Sequence, residues 1–194
     1  MKSLNRMLLL LFVAACSPAE QPQPEAAPAV DEGGWVQGAM ATAANPHAVE
    51  AAIEILEKGG HAVDAAIAAH AVLGLVEPQS SGIGGGGFML VYQRDTGELT
   101  FHDGRESAPA GATVDMFMRD GEVMGFVDAW QSGKAVGVPG AIALYKLAHD
   151  THGKLPWADV LEPAIRLATE GFEVSPRLAN YLPMMAERSR LDEN

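Results

Sequence analysis

One cysteine in 194 residues leaves the chain no way to close an internal disulfide. Cations are also scarce: 13 Lys and Arg stand against 25 Asp and Glu, a formal charge of −12. Nucleic-acid binding relies on clustered Lys and Arg to displace phosphate counterions, so nucleic acid is not an expected partner. The first apolar run, residues 7–13, is far shorter than the roughly 20 residues that a membrane-crossing helix needs. The six histidines (His47, His61, His70, His102, His149, His152) show neither H-E-x-x-H nor Cys/His spacing, so no metal site is expected. Nor is there a G-x-S-x-G elbow, and no nucleophile stands beside a matching base.

What is present begins with an export signal. Residues 1–15 place Lys2 and Arg6 before the apolar run and Ala14-Ala15 after it, in the order of a secretory signal peptide. Val13-Ala14-Ala15-Cys16 is similar to the bacterial lipobox, in which the cysteine is lipidated and becomes the mature N-terminus. Cys16 is therefore the expected lipidation site, and Ser17 after it is similar to lipoproteins sent to the outer membrane. The alternative is an ordinary signal peptide cleaved near Ala15, with Cys16 incidental. Residues 16–37, rich in Pro, Ala, Glu and Gln, cannot bury enough surface to offset the entropy of ordering them, and read as a tether.

The folded part is expected over residues 38–194, where the hydrophobic content (48% overall) is sufficient for a core. Residues 38–43 (GAMATA) suggest a buried strand. Asn45-Pro46 is a helix start, with Asn as N-cap and Pro at the first position. Val49, Ala52, Ile53 and Leu56 follow at helical spacing up to Gly59-Gly60. A second, Ala-rich helix is expected over residues 62–75. Residues 88–92 (FMLVY) read as a strand covered on both faces. Residues 94–97 form the turn and residues 99–102 the return strand, and residues 115–125 read as a polar, Met-containing loop or a second hairpin around Asp120-Gly121. Helices are expected over 141–149, with Leu144, Leu147 and Ala148 on one face, over 157–170, and from Ser175-Pro176 onward. This order describes an α/β or α+β layered domain.

The chemistry concentrates in residues 77–109, EPQSSGIGGGGFMLVYQRDTGELTFHDGRESAP. Gly82, Gly84 and Gly87 spell G-x-G-x-x-G, but a dinucleotide fingerprint needs a strand before it and a helix after it, and here the order is reversed. The glycines either let backbones cross closely or line a ligand site with N–H donors. Ser80 and Ser81 read as turn residues. Met116, Met118 and Met124 read as packing rather than a ligand set. His149 and His152, near a helix end, would complement the dipole as cations. Arg105 offers a planar fork suited to a carboxylate, or simply pairs with Asp103 or Glu106 on either side.

The segments ANPHAVEAAIEILEKGGHAVDAAIAAHAVLGLVEPQSSGIGGGGFMLVY, DGRESAPA, VGVPGAIA and HGKLPWADVLEPAIRLATEGFEVSPRLA occur in one order over residues 40–178. Together they resemble the N-terminal part of the γ-glutamyltransferase large subunit. The resemblance implies part of the αββα sandwich of an N-terminal-nucleophile hydrolase. It also implies a self-cleaving precursor whose small subunit carries a nucleophilic Thr and an acyl-enzyme route for glutathione and other γ-glutamyl compounds. The acyl group would pass to water or to an amino acid or peptide acceptor, with no cofactor. Arg105, in Arg105-Glu106-Ser107-Ala108-Pro109, is then expected to bind the substrate α-carboxylate. The Thr is expected downstream of Asn194, so the 194-residue segment alone would be inactive, on the periplasmic side and held to the membrane only by its lipid. Two other readings are a non-catalytic lipoprotein module for amino-acid-like ligands and an acylase for other amides.

Overall fold

Two small-faced helices set the frame of the computed structural model, which describes residues 38–189. The signal, the tether over residues 16–37 and Cys16 lie outside the described residues. Helix α1 (Pro46–Glu57) starts where expected: Asn45 Oδ1 accepts the His47 N–H at 3.1 Å, and Pro46 fills the first position. Gly59, at φ +85°, ends it. Its buried face is Ala48, Ala51, Ala52 and Ile55. That face is rotated from the expected Val49–Ile53 stripe because helix α2 (Ala62–Val76) packs on the alanines. His61 caps α2 through Nδ1, and Asp64 completes a capping box by accepting the His61 N–H at 2.8 Å.

Strands β1 (Phe88–Gln93) and β2 (Glu98–Asp103) form an antiparallel hairpin in which Leu90 faces Phe101 and Tyr92 faces Leu99. Gly97, at φ +68°, closes the turn. The expectation of a strand covered on both faces is corrected here. Val91 and His102 are buried against the helices, whereas Phe88, Leu90, Tyr92, Leu99 and Phe101 are 58–67% exposed. Residues 38–43 are also corrected: they form no ladder with any described residue.

Strands β3 (Met118–Arg119) and β4 (Glu122–Val123) make the second hairpin around Asp120-Gly121, both residues at positive φ. A short helix α3 (Phe126–Gln131) and a 3₁₀ turn (Gly133–Ala135), neither expected, lead to helix α4 (Ala141–His152). Helix α4 runs one turn past its expected end, to Gly153, because Thr151 bonds back to Leu147 O and Lys146 pairs with Asp150. Tyr145, not Leu147, joins Leu144 and Ala148 in the core, and Leu147 faces outward. Helix α5 (Trp157–Glu170) keeps its expected bounds, and helix α6 (Pro176–Ser189) starts at Ser175, whose Oγ accepts the Leu178 N–H at 3.1 Å.

The main core joins Ile55, Val63, Ile67, Val91, Leu144, Tyr145 and Val160, from α1, α2, β1, α4 and α5. A second cluster of Ala48, Ala51, Val72 and Val76 lies between α1 and α2, with Leu167 and Phe172 against it. Among the described residues, this is one helical layer on one face of a sheet.

Candidate functional site

Glycine makes the site by letting three backbone segments touch. Gly87 and Gly104 exchange backbone hydrogen bonds at 3.1 and 3.0 Å, carrying the hairpin one residue pair beyond its strands. A Cβ at Gly86 would overlap the carbonyl oxygen of Gly104, and a Cβ at Gly140 would overlap the same oxygen from the other side. Gly85 O accepts from Gly140 N at 3.2 Å and from Ala141 N at 3.1 Å, at the start of α4. Ser107 and Val138 pair as an antiparallel bridge. The segment after β2 is thus held between the glycine loop and the residue 136–140 loop; close packing is what the structure shows at Gly86, whereas a Cβ at Gly82, Gly84 or Gly87 would meet nothing within 4 Å.

Arg105 is carried on that segment. Its backbone N–H donates to Asp103 Oδ1 at 2.9 Å, and its Nη1 lies 2.9 Å from Glu106 Oε2. Pairing with Glu106 does not bury it, since the side chain stays 54% exposed. It borders an open cavity of about 550 Å³ whose wall runs from Gly84 through Arg105–Pro109 to Met116, Phe117 and Lys134–Gly137. The volume lies within the roughly 300–1,000 Å³ typical of small-molecule sites. Apart from Glu106, the charged residues on this wall are Arg105 and Lys134, so the cavity favours an anion. The sequence marks Glu106 only as a possible partner for Arg105. Its side chain also packs beneath Gly137, where a Cβ would collide with its own.

Ser80 and Ser81 are turn residues, as expected: both donate backbone N–H to Glu77 O, at 3.0 and 3.1 Å. Met116 lines the cavity and Met118 lies in β3. His70 is half-buried edge-on to Tyr145, and burial lowers its pKa. His149 and His152 stand in the last turn of α4, as expected, but His152 has further neighbours. It packs against His61 and His102, and burial followed by their charges pushes its pKa down. His149 bonds to Leu155 O at 2.9 Å. Among the described residues, no group of three or more His, Cys, Asp or Glu side chains is placed to hold a metal. None of their helices is long and apolar enough to cross a membrane.

Helices on one face of an antiparallel sheet, meeting at a glycine-packed turn that presents an arginine, place this segment in the α/β class of N-terminal-nucleophile hydrolases. The profile of the family described as gamma-glutamyltranspeptidase matches residues 48–194. The glutathione hydrolase proenzyme of Bacillus subtilis (strain 168) is 38% identical over 189 residues, covering 95% of this chain and 32% of that protein. Among solved structures, the gamma-glutamyltranspeptidase of Pseudomonas nitroreducens complexed with L-DON superposes with a TM-score of 0.72 at 38% identity, covering 78% of this chain and 44% of that one. The Helicobacter pylori gamma-glutamyltranspeptidase gives 0.73 at 36% identity, covering 77% and 43%. The chain belongs to the γ-glutamyltranspeptidase family. It spans about a third of the length of the Bacillus relative and less of several others.

Proposed function

We propose that this chain is the substrate-carboxylate half of a γ-glutamyl-transferring and glutathione-hydrolysing enzyme. Arg105 binds the α-carboxylate of the γ-glutamyl group. A Thr hydroxyl from a small subunit of the same precursor attacks the γ-amide carbonyl, with its own α-amine taking the proton. The amine leaves, and water or an amino acid or peptide acceptor resolves the acyl-enzyme. The observation that carries this reading is the half-exposed guanidinium at the rim of an anion-favouring cavity, its backbone fixed by Asp103 and its fork turned by Glu106. A carboxylate binding there exchanges water for a two-point, charge-assisted contact.

The test uses the full-length, processed protein with glutathione and a γ-glutamyl anilide. Arg105→Ala removes a charged hydrogen-bond pair worth about 2–3 kcal/mol, so KM should rise about 30- to 150-fold for both substrates. Arg105→Lys should fall between, since a point charge cannot replace the fork. An unchanged KM in Arg105→Ala refutes the role.

For location, we propose export to the periplasmic side and anchoring at the outer membrane through lipidated Cys16. The sequence Val13-Ala14-Ala15-Cys16 supports it. Cys16→Ala should abolish lipid labelling and release the protein from the membrane fraction. Labelling that persists in the variant would rule the anchor out.

A further inference from the structure

Three histidines meet beneath the β1–β2 hairpin, away from the Arg105 cavity. His61 caps α2, His102 lies buried in β2, and His152 ends α4. The rings of His61 and His152 stack with centroids 5.7 Å apart and planes 14° apart, and His102 stands edge-on to His152 at 5.6 Å and 82°. Gln93 of β1 joins two of them, with Oε1 3.4 Å from His61 Nε2 and Nε2 3.0 Å from His152 Nδ1.

The helix cap fixes the direction of this relay. Val63 N–H donates to His61 Nδ1 at 3.1 Å, so that nitrogen holds a lone pair and the ring proton sits on Nε2. His61 Nε2–H then donates to Gln93 Oε1, and Gln93 Nε2–H donates to His152 Nδ1. Turning the amide over would set two N–H donors against each other at His61. The intact relay therefore requires His61 and His152 to be neutral. A second proton on His61 removes the cap acceptor, and one on His152 removes the acceptor for Gln93. Either adds a cation beside neighbouring imidazoles where Nε2 of His102 and of His152 is already buried without a hydrogen-bond partner.

We propose that His61, Gln93, His102 and His152 form an acid-sensitive latch. It holds the hairpin, and with it the Arg105 segment that continues β2, against the ends of α2 and α4 while the rings are neutral, and loosens it on protonation. The other charged groups around it are few. The hairpin contributes Glu98 and Asp95, which share a recess with His152. Helix α2 contributes Asp64, already bonded to His61 N–H and to the backbone N–H groups of Lys154 and Leu155. Helix α4 contributes His149, 3.6 Å from Asp64 Oδ1. Glu98 favours a charged His152, but burial and the two neighbouring rings outweigh it and hold its pKa below the ordinary 6.5. The unfolded chain thus takes up this proton more readily than the folded one. The latch's contribution is complete above pH 6.5 and is lost as pH falls below it.

Hydrogen exchange read by mass spectrometry on the full-length protein, from pH 7.5 to 5 and corrected for intrinsic rates, tests this without reference to catalysis. Protection of residues 88–103 should fall by up to about tenfold per pH unit below 6.5, one proton's worth, while residues 157–170 stay constant. His152→Asn keeps an acceptor near the Nδ1 position and cannot titrate, and His61→Asn keeps the helix cap. His152→Asn should flatten the profile, and His61→Asn, which removes one of the two rings that oppose protonation of His152, should make it shallower. A wild-type hairpin indifferent to pH, or variants that retain the wild-type slope, would overturn the latch. Should His152→Asn fail to fold, the wild-type profile and His61→Asn still decide.

Discussion

At Glu77, four donors converge on two oxygens. Oε1 accepts from Asn45 Nδ2 at 2.9 Å and from Ser175 Oγ at 3.1 Å, and Oε2 accepts from Gln79 Nε2 at 2.6 Å and from Arg177 Nη1 at 3.2 Å. The side chain is 2% exposed, yet its acceptor capacity is filled, so its charge is tolerated there. The hydrogen bond from Asn45 leads in lowering its pKa, burial opposes it, and Gln79, Ser175 and the Arg177 charge add to the lowering. Because the folded pKa lies below the ordinary 4.5, the stabilisation is present above pH 4.5 and disappears as pH falls through the folded value. Glu77→Gln turns an N–H₂ toward donors and should cost about 2–3 kcal/mol at pH 7. In urea unfolding of the full-length protein, the gap between wild type and variant should narrow as pH drops below 4.5. A gap that does not change with pH would mean that the carboxylate charge is not what matters.

Elements whose ends are written in local chemistry were legible in the sequence. Asn45-Pro46, Ser175-Pro176, Gly171 and the Asp120-Gly121 turn stand where a helix or hairpin should start or stop, and they do so in the structure. The start of α2 was legible in place, at Ala62, but not in cause. His61 is an unusual N-cap, and it works because Asp64 closes the box while also accepting the backbone N–H groups of Lys154 and Leu155, some ninety residues away. No local window contains that knot. The same limit applies to the glycine loop: the reversed order of its flanking elements excluded a dinucleotide fingerprint, but local sequence could not choose between close packing and a ring of donors. At Gly86 close packing is imposed by Gly104, which reaches the loop only through the fold. Arg105 could be singled out by residue type, and Lys134, on the same cavity wall, carried no signal beyond its charge.

At the scale of the whole molecule, the largest mismatch between sequence and structure is the hairpin's outer face. Leu90 pairs with Phe101 and Tyr92 with Leu99, and with Phe88 they form a contiguous apolar surface on the side away from α2 and α4. Their composition is that of a doubly covered strand, and the helices supply one cover. Such a surface, with unpaired strand edges beside it, favours self-association. A protein comprising only residues 38–194 should therefore bind a hydrophobic dye and sediment as a concentration-dependent mixture of species. Leu90→Thr with Phe101→Thr keeps β propensity while removing much of the apolar area, and should shift that mixture toward monomer with less dye bound. In the full-length protein the same pair should instead lower the unfolding midpoint, because there the face would be buried and its truncation would leave cavities. Monomeric, dye-negative behaviour of the short wild-type protein, or a full-length double variant as stable as wild type, would mean that the face is an ordinary solvent surface and that the αββα layering does not extend over it.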